Sequence, residues 1–441
     1  MLKYAGRSVI FIACSISSLT WATQTTDSDL VTDSYLVTFK KDSSGNSIVK
    51  KNVQNNNAAK KNGVPFGEHS TGQDKKALAA TLGVNGEIAS IFETIDSAHI
   101  RMSAVEADKL RKHPSVADIE QNRITTSSAT NQYSPGWGLD RLDQTNTNLN
   151  SIYSYTANGA GQTVYVLDTG LDLAIPAVAS EFGGRASVIF DVNSGGTGAD
   201  CNGHGTRVAS AIGGASNGVA KGARIVAAKI TSACTGNSDT ATWALAFNWL
   251  AANAPRGTIV NLSSEIAARN ALGQYVCVGS GNPVVSTVVE SAIKAAYAAG
   301  IIVNVSAGND SCNTAYYTPT RMVEAFVVGA TDSSRLAFGQ DAKANYSRTG
   351  TNVSTFAPGT SVNLLNWNGQ QVTDSGTSFS APYVAGIFAL ACQAVAPYCS
   401  QANVADIYNN FRNTGTLGTV TESNGSPLIG ATSRFISKQS W

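Results

Sequence analysis

Residues 163–170 read TVYVLDTG. β-Branched and aromatic side chains follow one another without polar alternation, which is the pattern of a strand buried on both faces. The same kind of run returns at ARIVAAKI (223–230), TIVNLSS (258–264), IIVNVSAG (301–308) and AFVVGAT (325–331). Helical stretches stand between and after them: HGTRVASAIGG, TATWALAFNWLAANA, VVSTVVESAIKAAYAAG and SFSAPYVAGIFALACQAV. In the second of these, Trp243, Phe247 and Leu250 share one face. Apolar strands separated by helices predict an α/β fold: a doubly wound, mostly parallel sheet covered by helices on both sides, in three layers.

In such sheets ligands bind beyond the carboxyl ends of the strands. Four polar residues fall there. Asp168 ends the first strand, His204 opens a helix after Gly203, Asn309 follows the strand that ends in SAG, and Ser378 opens the last long helix. The chain has four histidines, His69, His99, His113 and His204, so the last three hundred or so residues hold one imidazole for acid–base work near neutral pH. A serine hydroxyl needs a base within reach, and that base needs a third group to fix its tautomer. Asp168, His204 and Ser378 can supply nucleophile, base and orienting group. An amide at Asn309 could donate to a developing oxyanion together with the N–H of Ser378. Taken singly, each has a plainer role, as helix cap or turn residue. Pro382, four residues after Ser378, is expected in the first helical turn, where proline is tolerated.

The chain has 441 residues and a net charge of +1, with charged residues at 14%, which argues against a nucleic-acid or acidic-substrate partner. Charge is concentrated before residue 128, and most glycine and cysteine lie after it, so two pieces meet near RITTSSATNQ. The start, MLKYAGRSVIFIACSISSLTWATQ, has Lys3 and Arg7, an apolar stretch to Leu19, and small residues to Ala22. This is the layout of an export signal over residues 1–22, too short to span a bilayer, with Cys14 allowing a lipoprotein alternative. The expected location is extracellular, with no membrane partner. Residues 31–125 read as a small α+β domain, with strands at SYLVTFK, IFETIDSAHIRM and VADIEQN and helices at DKKALAATLG and SAVEADKLRKHP. The six further cysteines, Cys201, Cys234, Cys277, Cys312, Cys392 and Cys399, suggest three disulfides in an oxidising compartment, with fifteen pairings open. Cys201 and His204 lie three apart, but no second pair with ligand spacing follows, which argues against zinc.

At these residues the chain resembles the subtilases, the subtilisin-type serine proteases, and among them the proteinase K-like branch. The order Asp…His…Ser sets them apart from α/β-hydrolases, and with them from an esterase or lipase reading; the order is the one quoted for subtilisin itself. SPGWGLDRLDQ, VLDTGLD, NGHGT, VNLSS, SAGND, FAPGT and GTSFSAPYVAG carry the resemblance from about residue 133 to 400. It implies a secreted endopeptidase over residues 130–441 that acts on polypeptides through an acyl-enzyme and works as a monomer. Residues 31–125 would be its inhibitor-type propeptide, an intramolecular chaperone and inhibitor cut off by the enzyme itself between Ser127 and Gln132. Asp168 would orient His204, His204 would deprotonate Ser378, and Asn309 would sit in the oxyanion hole.

The resemblance also implies finer features. Ser263, Ser264 and Glu265 would form the substrate strand beside the S1 pocket, the subsite for the side chain of the residue whose carbonyl is attacked (P1). Ser306, Ala307 and Gly308 would form its opposite wall. Cys201 and Cys234 match a family disulfide. Cys312 stands at a second family position whose usual partner is absent, and is paired with Cys277; Cys392 and Cys399 then pair locally. Asp140, Asp143, Gln144 and Asn150 resemble a structural calcium site, while Ser354 stands where an Asp serves another; no catalytic cofactor is implied. Departures lie at Arg207, where a second histidine is usual, at Phe379, Ser380 and Tyr383 around the serine, and at Ser264 and Glu265 in place of a Leu-Gly. A glycine there would let substrate backbone approach closely; Glu265 adds bulk and charge.

Overall fold

The computed structural model describes residues 30–52, 70–123, 129–193, 195–395 and 398–438. The expected export signal and part of the expected cut at 127–132 lie outside these residues. The chain separates into two compact units, Met1–Ser127 and Ser128–Trp441.

The first unit carries a four-stranded antiparallel sheet in the order Glu87–Phe92, Ser97–Arg101, Leu30–Phe39, Val116–Arg123. Its helix Gly72–Leu82 opens on a capping box, in which the Thr71 hydroxyl takes the Asp74 N–H and the Asp74 carboxylate takes the Thr71 N–H. Leu78, Ile100, Val37 and Ile119 meet in a core separate from that of the second unit. The stretch IFETIDSAHIRM is two strands, not one: a 3-10 turn at Glu93–Ile95 and the left-handed Asp96 reverse the chain inside it.

Apart from the two-stranded pairs Thr130–Tyr133 with Ile152–Tyr155 and Val362–Leu365 with Gln371–Asp374, the second unit is built on a nine-stranded sheet. Its strands are β1 (Thr163–Asp168), β2 (Ala186–Asp191), β3 (Arg224–Lys229), β4 (Ile259–Leu262), β5 (Ile302–Ser306), β6 (Phe326–Asp332), β7 (Asp341–Lys343), β8 (Val353–Pro358) and β9 (Val420–Thr421). The order is β9-β7-β6-β5-β4-β1-β3-β2, with β8 also beside β6, and all pairings are parallel except β6 with β7. Among the helices that cover it are α1 (His204–Gly213), α2 (Thr240–Asn253), α3 (Thr287–Ala298) and α4 (Thr377–Ala394). α1 packs against α4, and α2 against α3, giving the flanking layers of a three-layer α/β fold. α4 is buried along nearly its whole length because it lies across the middle of the sheet.

The carboxyl ends of β1, β4 and β5 therefore face the amino ends of α1 and α4. Close packing holds that edge together. A side chain at Gly205 would put its Cβ 2.5 Å from the carbonyl of Gly170, so α1 can start against the end of β1 only with a glycine there.

Candidate active site

His204 Nδ1 lies 2.7 Å from Asp168 Oδ1. Asp168 is buried, its Oδ1 also accepts the Thr169 N–H, and its Oδ2 has no hydrogen-bond partner. With the proton on Nδ1, the histidine donates to the carboxylate and leaves Nε2 free as a base. Burial pushes the imidazole pKa down, but the Asp168 carboxylate pushes it up and prevails, so it stands above the ordinary histidine value; Arg207 opposes the rise.

A second carboxylate holds this arrangement in place. Asp200, almost fully buried, accepts from the hydroxyls of Thr169 and Thr206 at 2.9 and 2.7 Å and from the Gly203 and Thr206 N–H groups. Thr169 Oγ1 in turn accepts the Gly205 N–H at 2.7 Å. Asp200 thus takes free amide protons at the start of α1 and ties that turn to the end of β1.

Ser378 is the second residue of α4, and its Oγ donates to the Ser263 carbonyl at 3.3 Å. Among the described residues Ser378 makes no hydrogen bond to His204; such catalytic hydrogen bonds are often long until substrate binds. Pro382 lies in the second turn of α4, not the first, because the helix already begins at Thr377. The N–H that Pro382 lacks would have bonded the Ser378 carbonyl, four residues back. That carbonyl accepts the Ser263 hydroxyl instead, at 2.8 Å. Beneath it runs a buried amide ladder: Asn261 donates to Ser263 Oγ at 2.9 Å, and Asn304, its register partner on β5, donates to Asn261 Oδ1 and to the Ala381 carbonyl, both at 2.8 Å.

Asn309 Oδ1 accepts the N–H and the hydroxyl of Thr377, at 2.9 and 3.0 Å. Both oxygen contacts fix the amide plane, leaving Nδ2 as the donating end. Asp168, His204, Ser378, Asn309, Ser263 and Glu265 line one cleft of about 380 Å³. Ser264 and Ser306 line it too, while Ala307 and Gly308 are buried behind it. In chemical terms it offers an oriented base, a hydroxyl at a helix N-terminus, and a fixed amide donor.

Among the described residues three disulfides are present, Cys201–Cys234, Cys277–Cys312 and Cys392–Cys399. At Asp140, Asp143, Gln144 and Asn150 the oxygens are largely committed. Both oxygens of Asp140 accept amide protons, from Asn150 and Ser151, and the Gln144 amide also points to it. Asp143 Oδ2 accepts the Ser154 N–H, while its Oδ1 is buried with no hydrogen-bond partner. Burial raises the Asp143 pKa, and the nearby Lys438 cation pulls it down against that rise. At Ser354 a cation already stands: the Arg412 guanidinium donates to Ser354 Oγ at 3.2 and 3.4 Å, which removes the case for a metal there. Among the described residues no group of three or more His, Cys, Asp or Glu forms a metal cluster.

Asp200, Thr169, Asn261 and Asn304 escape sequence reasoning. The first signals itself only as an acid just ahead of NGHGT, and the asparagines only as polar residues at matching places in two apolar strands.

The description "Subtilase family" matches residues 159–425 of the chain. An alkaline serine exoprotease A of Vibrio alginolyticus is 34% identical over 346 residues; this covers 76% of the chain and 60% of that protein, so the chain spans less than two thirds of it. An extracellular serine proteinase of Thermus sp. (strain Rt41A) is 35% identical over 71% of the chain and 70% of its own length. A cuticle-degrading serine protease of Arthrobotrys oligospora is 32% identical over 90% of the chain and 89% of its own length. The crystal structure of a cold adapted subtilisin-like serine proteinase superposes with a TM-score of 0.58 at 30% identity, over 69% of the chain and 98% of that structure.

Proposed function

The chain belongs to the subtilase family of subtilisin-like serine endopeptidases, and from that premise we propose that it hydrolyses polypeptides with Ser378 as nucleophile, His204 as general base and Asp168 as the group that orients it. The observation that carries this reading is the 2.7 Å Asp168–His204 hydrogen bond, in a cleft that also holds Ser378 and Asn309.

The proposed steps are these. As Ser378 Oγ bonds to the scissile carbonyl carbon, its proton passes to His204 Nε2 and the carbonyl electrons move onto oxygen. Asn309 Nδ2 and the Ser378 N–H donate to that oxyanion, aided by the positive end of α4. The C–N bond then breaks, and the amine leaves with the proton from His204. Water attacks the acyl-enzyme, gives a proton to His204 and releases the acid, and the proton returns to Ser378 Oγ. Asp168 stabilises the imidazolium throughout without being protonated.

The chain is exported, the first unit serves as chaperone and inhibitor until it is cut off near residues 127–132, and the mature enzyme works as a monomer. Extracellular relatives support export, and among the described residues no helix is long and apolar enough to cross a membrane. A structural calcium would be held through Asp143 Oδ1 with Asp140, Gln144 and Asn150, and would tie down the loop that follows the helix Trp137–Leu142. An organophosphorus serine reagent should add one group to the mature protein, on the peptide containing Ser378, and a His204→Ala variant should resist it. Labelling at another serine, or equal labelling of the variant, would sink the assignment.

A further inference from the structure

Glu265 follows β4 and lines the cleft with Ser378 and Asn309. Its Oε2 accepts the Asn309 N–H at 3.0 Å, so its carboxylate lies beside the proposed oxyanion donor, where the P1 side chain must pass. The opposite wall makes room for it: a Cβ at Gly308, whose φ is +110°, would lie 2.4 Å from that same oxygen.

The charge behind this wall is not balanced. Arg348, fully buried, sends Nε and Nη2 to the two oxygens of Asp310 at 2.6 Å each and stacks on Tyr317 at 3.7 Å. Its Nη2 lies 3.3 Å from Glu265 Oε2. One guanidinium therefore faces two carboxylates, and the cluster carries a net negative charge. Burial raises the Glu265 pKa, and Arg348 and the Asn309 N–H pull it back. Its side chain is 19% exposed, and no hydrogen bond reaches Oε1 among the described residues. Arg269, also in the cleft wall, is held at the exposed rim by the Gly273 carbonyl at 2.7 Å and by stacking on Tyr275 at 4.0 Å, where water and salt screen it.

Resting on the peptidase reading above, we infer that Glu265 makes the S1 subsite acidic and selects a basic P1 residue, lysine or arginine, whose cation pairs with Glu265 Oε1. Ser264 and Ser306 line the same cleft.

The test uses the mature wild-type enzyme at pH 8 on two chromogenic peptides differing at P1 alone, lysine against its uncharged analogue norleucine. A charge-assisted hydrogen bond predicts a kcat/KM for lysine about ten- to a hundredfold higher, and the ratio should collapse towards one in Glu265→Gln. Benzamidine, which carries the cation, should inhibit the wild type at least about tenfold more tightly than neutral benzamide, a readout that needs no variant. Equal or faster cleavage of the norleucine peptide, an unchanged ratio in Glu265→Gln, or equal inhibition by the two compounds would overturn the inference and leave the peptidase standing. Failure of the wild type to cut either peptide, or casein, would remove the peptidase reading and this inference with it.

Discussion

At the residue scale, Asn309 and His204 make separable predictions. Asn309 gives its Oδ1 to Thr377, which leaves only Nδ2 to act in the transition state. Replacing it with alanine should lower kcat about a hundred- to a thousandfold with little change in KM; a drop confined to KM would argue for a binding role instead. His204 must be neutral to accept the Ser378 proton, so activity falls as pH falls through its pKa, which Asp168 holds above the ordinary value against burial and Arg207. Arg207, paired with Asp374, stands one turn into α1. In Arg207→Gln the opposing positive charge is gone, the histidine pKa rises further, and the acid limb of the kcat/KM profile should move to higher pH. A limb that stayed still or moved down would contradict the electrostatics. Asp168, Asn309, His204 and Ser378 were legible as candidates because the first two follow apolar strand runs and the last two open apolar helices. Asp200 was not, because its role lies in where its two oxygens point, and spacing does not record that.

At the scale of elements, the sheet was legible where strands are buried on both faces and helices are apolar. The edge strand β2 was not, since its residues are half-exposed and carry no clear period. The helix Val404–Thr414 was also missed, although its polar residues alternate with Val404, Ile407, Tyr408 and Phe411 packed inward. Two long-range ties make testable claims at this scale. The Cys201–Cys234 bridge starts just ahead of α1 and closes a loop of sequence separation 33 that contains α1 and β3. Replacing both cysteines with serine should cost about 3–4 kcal/mol by denaturant unfolding, if loop entropy dominates. Arg141 and Asp341, both wholly buried, form a bidentate pair at 2.8 and 2.7 Å, with Phe435 stacked on the guanidinium. Burial pushes the Asp341 pKa up and the Arg141 hydrogen bonds pull it back. Arg141→Leu would strand a carboxylate in the core and should destabilise by about 3–5 kcal/mol; a loss below about 1 kcal/mol, the size of an exposed pair, would mean water reaches the site.

At the scale of the whole molecule, two compact units with separate cores follow one another along the chain, and only the second holds the cleft. The change in charge density near residue 128 made the division legible, whereas the use of the first unit is a matter of chemistry. If the second unit is a working peptidase, it should cut its own chain, and that act depends on one oxygen atom. The most direct measurement is the mass of the secreted chain, wild type against Ser378→Ala, with casein cleavage followed in parallel. The wild type should mature to a chain that begins near residue 130 and should degrade casein, while the variant stays long and inert. If both chains stay long and neither cuts casein, or if the variant matures and cuts as the wild type does, Ser378 is not the nucleophile and the account fails at its centre.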